Sequence, residues 1–355
     1  MYATVKDDSV NFLKSRDNQK MKNIPKLFVL FIVIVFYTSC NGQNQINSPN
    51  DNIKSEIKDT ISSFWSKNDT VVQIRKGSNG TILIASKRNV FRYDGKSFFN
   101  LSNKLGSHRY QDVLEDRKGG LWFATEDSGV YYYNGKSFQH FTINEGLADN
   151  WATCIYEDKV GVIWLGTKGG ASRYDGKKIQ NFLMKGEYKW DTYITTFMED
   201  KTGKLWVSAR GDVFNYDGNN FITIPNNGNR VYDVFSIIED SKGNIWFGGW
   251  DGLRRFDGKT FTKFEHNTGY SNIIEDKKGN IWTSGKLKGA IWALSRYEQR
   301  YLQDKDPIVS VIMSGPNKGT YSGILEANDG SIWFGHNSGL YRYYEDAITD
   351  FGSKN

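Results

Sequence analysis

The sequence predicts an all-β fold, a seven-bladed β-propeller of four-stranded antiparallel blades, and three observations point to it. A motif of Glu-Asp, a Gly-containing turn, an apolar pair and Trp ends at Trp122, Trp164, Trp206, Trp246, Trp282 and Trp333, with a degenerate first copy ending at Leu83. The anchors stand 39, 42, 42, 40, 36 and 51 residues apart. A period near forty with strand-like segments inside it is that of a propeller blade. Five copies then carry a second turn at one offset, Asp94-Gly95, Asn134-Gly135, Asp175-Gly176, Asp217-Gly218 and Asp257-Gly258.

The chain opens with "MYATVKDDSVNFLKSRDNQK", which is polar and holds three Asp. Such a stretch does not suit a targeting signal, and translation is expected to begin at Met21. Lys22 and Lys26 then precede an apolar run of 11 residues, Leu27 to Tyr37, ending in Thr38-Ser39-Cys40. A basic start, a short apolar core and small residues read as a secretory signal. The run is shorter than the roughly 20 residues needed to span a bilayer. Small residues directly before Cys resemble a bacterial lipobox, which makes Cys40 the expected lipidated first residue. An ordinary signal peptide and an uncleaved anchor are the alternatives, and Tyr37 stands where such a box usually has Leu.

The expected organisation is therefore 1–20 upstream of the start, 21–39 signal peptide, 40–60 polar tether and 61–355 propeller. The tether reading rests on "NGQNQINSPNDN", which has too little apolar content to pack. Cys154 is the only other cysteine, so no disulfide framework and no Cys-based metal site can form. The formal charge of +6 falls to +3 without residues 1–39, and no basic block suggests nucleic acid. No cofactor or metal is expected.

Within a blade, residues 234–264 serve as the clean copy. Ser236 to Glu239, Asn244 to Gly248, Leu253 to Phe256 and Thr260 to Phe264 are short, rich in Ile, Phe, Trp and Thr, and bounded by Gly or Asp, as strands should be. Asp-Gly between the third and fourth suits a type I′ hairpin. The repeated Trp lies in the second strand, where it can wedge between blades and bury on the order of 200 Å². The 51-residue interval leaves extra chain after Trp282. Closure of the ring is open between "AITDF" at 347–351 and a strand near Ile61 to Trp65.

Residues 144–182, "NEGLADNWATCIYEDKVGVIWLGTKGGASRYDGKKIQNF", resemble the two-component regulator propeller repeat, and the resemblance extends over roughly residues 71–351. In that family such repeats form the extracytoplasmic sensor half of hybrid histidine kinases, associated with detecting oligosaccharides from polysaccharide breakdown. The resemblance thus implies a sensing or binding role. With no kinase or response-regulator sequence present up to Asn355, it implies no kinase activity for this chain.

The Glu-Asp turns and Asp-Gly hairpins fall on one face and are nearly identical between copies, as scaffolding should be. The other face collects the turns between second and third strands and the connections between blades, which differ in every copy, and variable loops on a rigid frame carry binding. The candidates there are Trp151, Trp190, Trp250, Arg109, Tyr110, Arg210, Arg230, Tyr232, Tyr270, His266 and His336. Aromatic rings can stack on sugars, and Arg can pair with carboxylate or sulfate. Trp151, Trp190 and Trp250 lead because none occupies the repeated structural position. The reading is a membrane-anchored, periplasmic or surface-facing propeller that binds a glycan or protein partner. The alternatives are a lyase or hydrolase at the channel mouth using His266 or His336, and an assembly scaffold.

Overall fold

Each copy of the motif folds as one meander of four antiparallel strands, and seven meanders follow one another without exchanging a strand. The structure is a computed structural model that describes residues 69–184, 193–224, 231, 233–288, 291–304, 307–315, 321–337 and 339–351. The expected signal peptide, Cys40, the tether and Ile61 to Trp65 lie outside the described residues. Blades 1 to 7 span residues 71–100, 110–141, 152–182, 194–223, 234–264, 267–315 and 321–350. In blade 5 the strands are Val234–Glu239, Ile245–Gly249, Gly252–Phe256 and Phe261–Phe264, within two residues of the sequence reading. Among the described residues no helix is long and apolar enough to cross a membrane.

The core is not central. It is divided into seven apolar clusters, each shared by two neighbouring blades. The repeated Trp supplies the bulk of most of them: Trp164, Trp246 and Trp333 are at most 2% exposed. Second strands read as fully buried runs such as Leu121–Thr125 and Ile163–Thr167, because both faces of a blade are covered by its neighbours.

The Glu-Asp pair is what fixes a blade and joins it to the one before. In blades 2 to 6 one carboxylate oxygen of the Asp accepts backbone N–H groups of its own turn, as Asp240 does from Lys242 at 3.0 Å and Asn244 at 2.8 Å. The other oxygen accepts the indole N–H six residues on: Asp116 from Trp122 at 2.9 Å, Asp158 from Trp164 at 3.0 Å, Asp200 from Trp206 at 2.8 Å, Asp240 from Trp246 at 2.8 Å, and Asp276 from Trp282 at 2.7 Å. The turn closes on a glycine with positive φ, such as Gly243 at 85°, which a side chain would oppose. Blade 7 has Ala327 instead of the Asp, and Ser331 Oγ accepts the Trp333 N–H at 3.0 Å.

The Glu belongs to the joint between blades. Glu115, Glu157, Glu199, Glu239, Glu275 and Glu326 each accept a backbone N–H from the turn of the preceding blade, donated by Ser78, Arg117, Lys159, Lys201, Ser241 and Lys277 at 2.6 to 3.0 Å. These carboxylates tie the turn of one blade to the next through charge-assisted hydrogen bonds, most of them at exposed positions. Blade 1 has Lys76 at the corresponding position.

One expectation needs correction. The Asp-Gly hairpins are not type I′: only the glycine has positive φ, 92° at Gly258, and the following residue does not. Positive φ at the first central residue alone is the type II′ pattern. The Asp side chain selects it, since Asp257 Oδ1 accepts the N–H of Lys259 at 2.8 Å and Thr260 at 2.7 Å. Those backbone donors lower the Asp257 pKa to about 2. A type I′ pattern occurs instead in blade 7, where Glu345 and Asp346 have φ of 47° and 61°. The extra residues after Trp282 lie mainly between the third strand of blade 6, Ile291–Tyr297, and its outer strand Val309–Gly315, and include a 3-10 turn, Gln299–Tyr301.

The ring closes through "AITDF", one of the two routes open from sequence. Ala347–Asp350 is the outer strand of blade 7, and Phe351 stacks on Trp333 at 5.0 Å while meeting Phe98 of blade 1 at 5.5 Å. At the inner strands Ser322 Oγ donates to the Val71 carbonyl.

Candidate functional site

One backbone hydrogen bond, repeated around the ring, builds the rim of the face opposite the Glu-Asp turns. In six blades the first residue after the second strand donates its N–H to the carbonyl of the residue just before the inner strand. The pairs are Lys87 to Thr70 at 2.9 Å, Glu126 to Arg109 at 2.8 Å, Lys168 to Trp151 at 2.9 Å, Arg210 to Tyr193 at 2.9 Å, Trp250 to Asp233 at 3.1 Å, and Lys288 to His266 at 3.0 Å. The bond holds two side chains of each blade side by side at the mouth of the channel. Their backbone positions are fixed by the repeat while their identities vary freely.

Five residues expected from the sequence sit in this rim: Arg109, Trp151, Arg210, Trp250 and His266. His336 ends the second strand of blade 7, half-buried, and burial pushes its pKa down, leaving it neutral at pH 7. Tyr110 is corrected: it is fully buried, donates to the Gly106 carbonyl at 3.2 Å and belongs to the cluster between blades 1 and 2, so it cannot meet a ligand. Burial raises its pKa to about 12. Trp190, Arg230 and Tyr232 lie outside the described residues, and Tyr270 is described only as backbone within the strand Asn267–Glu275.

Among the described residues, side chains of the rim meet one another over blades 2 to 4. Arg109 Nε stands 3.3 Å from Glu126 Oε2, which also accepts from Gln111 Nε2 at 3.3 Å. Trp151 meets Tyr193 edge to face at 6.2 Å, and the Lys168 ammonium lies 5.4 Å from the Trp151 ring centroid. That distance is within the range of a cation–π contact. Tyr193 feels its neighbours: burial raises its phenol pKa, Cys154 and the Glu126 carboxylate raise it further, and Arg210 lowers it. Tyr193 was not among the residues singled out from sequence. The signal for it was positional, since it immediately precedes an inner strand, as Trp151 does.

Below the rim, Arg75 of blade 1 crosses to blades 2 and 3. Its Nε donates to Asp112 Oδ1 at 2.8 Å, and its other arm donates to Asp112 Oδ2 at 2.5 Å and to the Ile155 carbonyl at 3.0 Å. Asp112 also accepts the N–H of Val113 and of Ile155, each at 2.8 Å, so its charge is fully hydrogen-bonded. The nearby Cys154 is buried, and burial followed by the Asp112 charge raises its thiol pKa to about 12. It carries no thiolate at neutral pH.

His266 also borders a cleft of about 350 Å³ shared with Leu287, Pro307 and Ile308. A second cleft, of about 650 Å³, opens on the opposite face between blades 6 and 7 beside Asp276, Arg296 and Tyr343, and holds none of the expected residues. Among the described residues no group of three His, Cys, Asp or Glu side chains is placed to hold a metal ion.

Comparison with known proteins agrees with this architecture. No curated protein sequence matches the chain. Among solved structures, the extracellular domain of a proposed hybrid two component system from B. thetaiotaomicron matches with a TM-score of 0.64 and 22% identity, over 79% of this chain and 40% of that one. The match therefore spans well under half the length of that chain. Virginiamycin B lyase from Staphylococcus aureus matches with a TM-score of 0.62 and 16% identity, over 78% of this chain and 94% of the lyase. PorZ, a surface component of the type-IX secretion system of Porphyromonas gingivalis, matches with a TM-score of 0.53 and 16% identity, over 79% and 48% of the two chains. At such identities these likenesses show the fold alone. Residues 104–127, 146–169 and 227–251 match the family described as two component regulator propeller, each passing through a Glu-Asp turn to the rim, so three stretches of this seven-bladed propeller carry the two-component regulator propeller repeat.

Proposed function

We propose that this chain is an extracytoplasmic binding propeller, sensor- or receptor-like, that takes a glycan on the rim over blades 2 to 4. The observation that carries the reading is the grouping of Trp151, Tyr193, Lys168, Arg210, Arg109 and Glu126 on backbone positions locked by one repeated hydrogen bond. Flat rings flanked by charged donors and acceptors suit a sugar, whose faces are apolar and whose edges are hydroxyls. The opposite face is committed to structure, because its repeated carboxylates are taken up by turns and joints. Export with anchoring through a lipid on Cys40 is read from the N-terminal pattern, and export is further supported by the likeness in fold to an extracellular domain.

The test is a glycan-array screen followed by calorimetry with the purified chain. Saturable binding without turnover is expected, weakened at least tenfold when Trp151 and Tyr193 are both replaced by Ala. Unchanged affinity in that variant would move the site off this rim, and a hit on proteins rather than glycans would replace the ligand class.

A further inference from the structure

The connection that delivers Trp151 to the rim, residues 142–151, is tied down along its length. Its 3-10 turn Ile143–Glu145 opens with a capping box between Thr142 and Glu145, and Leu147 is buried in the cluster between blades 2 and 3. The Ala148 N–H donates to Ser172 Oγ at 3.1 Å; Ser172 is fully buried and donates to Asn181 Oδ1 at 2.7 Å, and the Asn181 amide returns to the Gly146 carbonyl at 2.9 Å. Asn150 Oδ1 accepts the Ile143 N–H at 2.9 Å, and the Asn150 carbonyl accepts that of Gly129 at 2.7 Å. Trp151 itself is held on both sides. Asp149 Oδ1 accepts its N–H at 2.7 Å, and its carbonyl accepts the Lys168 N–H at 2.9 Å. Gly169, beside Lys168, makes room for this: a Cβ there would stand 2.7 Å from the Ala148 carbonyl oxygen and 3.0 Å from Asp149 Cβ, too close for the two backbone segments to stay in place. Gly169 does not have positive φ, so space and not backbone freedom is what calls for a glycine.

Resting on the rim reading above, we infer that Asp149 and Gly169 are positioning residues for that site, acting on a ligand only through Trp151. Asp149 fixes the Trp151 backbone, Gly169 lets the 148–149 segment lie against the turn after the second strand, and together they set the corner in which Trp151 meets Tyr193. A ring already in place when the ligand arrives saves the ordering that binding otherwise costs. Were the ring in that placement for only about a tenth of the time, apparent affinity would fall about tenfold.

The experiment labels the full chain with fluorotryptophan and follows the Trp151 resonance by fluorine NMR, assigned through Trp151→Phe, beside calorimetry with cellohexaose, xylohexaose and mannohexaose. Asp149→Ala and Gly169→Ala are each expected to shift or broaden the Trp151 resonance, to leave that of Trp164 in the second strand of the same blade unmoved, and to weaken hexasaccharide binding about tenfold. Asp149→Asn keeps an oxygen acceptor for the Trp151 N–H and is expected to match the unsubstituted chain in both readings. A Trp151 resonance unmoved in both Ala variants, or equal losses in Asp149→Asn and Asp149→Ala, overturns the positioning role. A resonance that moves while hexasaccharide affinity stays the same overturns the rim reading instead. Absence of binding to all three hexasaccharides counts against the rim reading, and the resonance alone then decides whether the two residues place the ring.

Discussion

Asp240 shows how one side chain of the repeat organises a blade. It is 3% exposed and receives two backbone N–H groups, the Asn244 amide at 2.7 Å and the Trp246 indole. Asp240→Ala would strand these donors, and a destabilisation of about 3 kcal/mol is expected, read by chemical denaturation. Blade 7 shows another solution, in which Asp329 accepts from Ser331 at 2.6 Å and Ser331 accepts from Trp333. Adding Lys242→Asp and Asn244→Ser to Asp240→Ala should therefore recover a substantial part of the stability, whereas no recovery would mean that the bond to Trp is minor. From sequence the Asp was legible as a turn former. Its bond to Trp was not, because that bond crosses the hairpin. At the rim, Trp151 and Trp250 stood out by being extra tryptophans, while Tyr193 was hidden because Tyr is common in this chain. Tyr110 was misplaced for a related reason: the strand that carries it begins one residue sooner than a loop reading assumes, and this turns the side chain into the core.

At the scale of elements, the strands were legible because short β-branched and aromatic runs between Gly and Asp leave few alternatives. The hairpin type was not, since Asp-Gly serves either turn and the side-chain bonds of Asp decide. Nor was the purpose of the Glu, whose partner lies about forty residues earlier on a neighbouring sheet. Glu239 accepts the Lys201 N–H at 2.6 Å, and the Lys201 ammonium reaches back to the Asp240 carbonyl at 2.8 Å. Replacing Glu239 by Ala should cost about 1 to 2 kcal/mol and should speed hydrogen exchange at the Lys201 amide far more than at the equivalent Lys159 amide, which Glu199 still holds. Equal exchange at the two amides would show that the joint is held by apolar packing alone.

For the whole molecule, the repeat count set the number of blades, but closure could not be read because two segments competed for it. Phe351 settled it by packing on Trp333, Tyr93 and Phe98 at once. Since this joint has Lys76 where the others have Glu, Phe351→Ala should lower the unfolding temperature more than removal of the same ring at a joint that keeps its Glu, such as Phe221→Ala between blades 3 and 4; about 3 kcal/mol is expected. A smaller effect at Phe351 than at Phe221 would show that the seam is held elsewhere. The direction of the Glu bonds has a further meaning. Every one runs from a later blade to an earlier one. During synthesis, then, the turns of blades 1 to 6 can gain their carboxylate acceptor only once the following blade has been made.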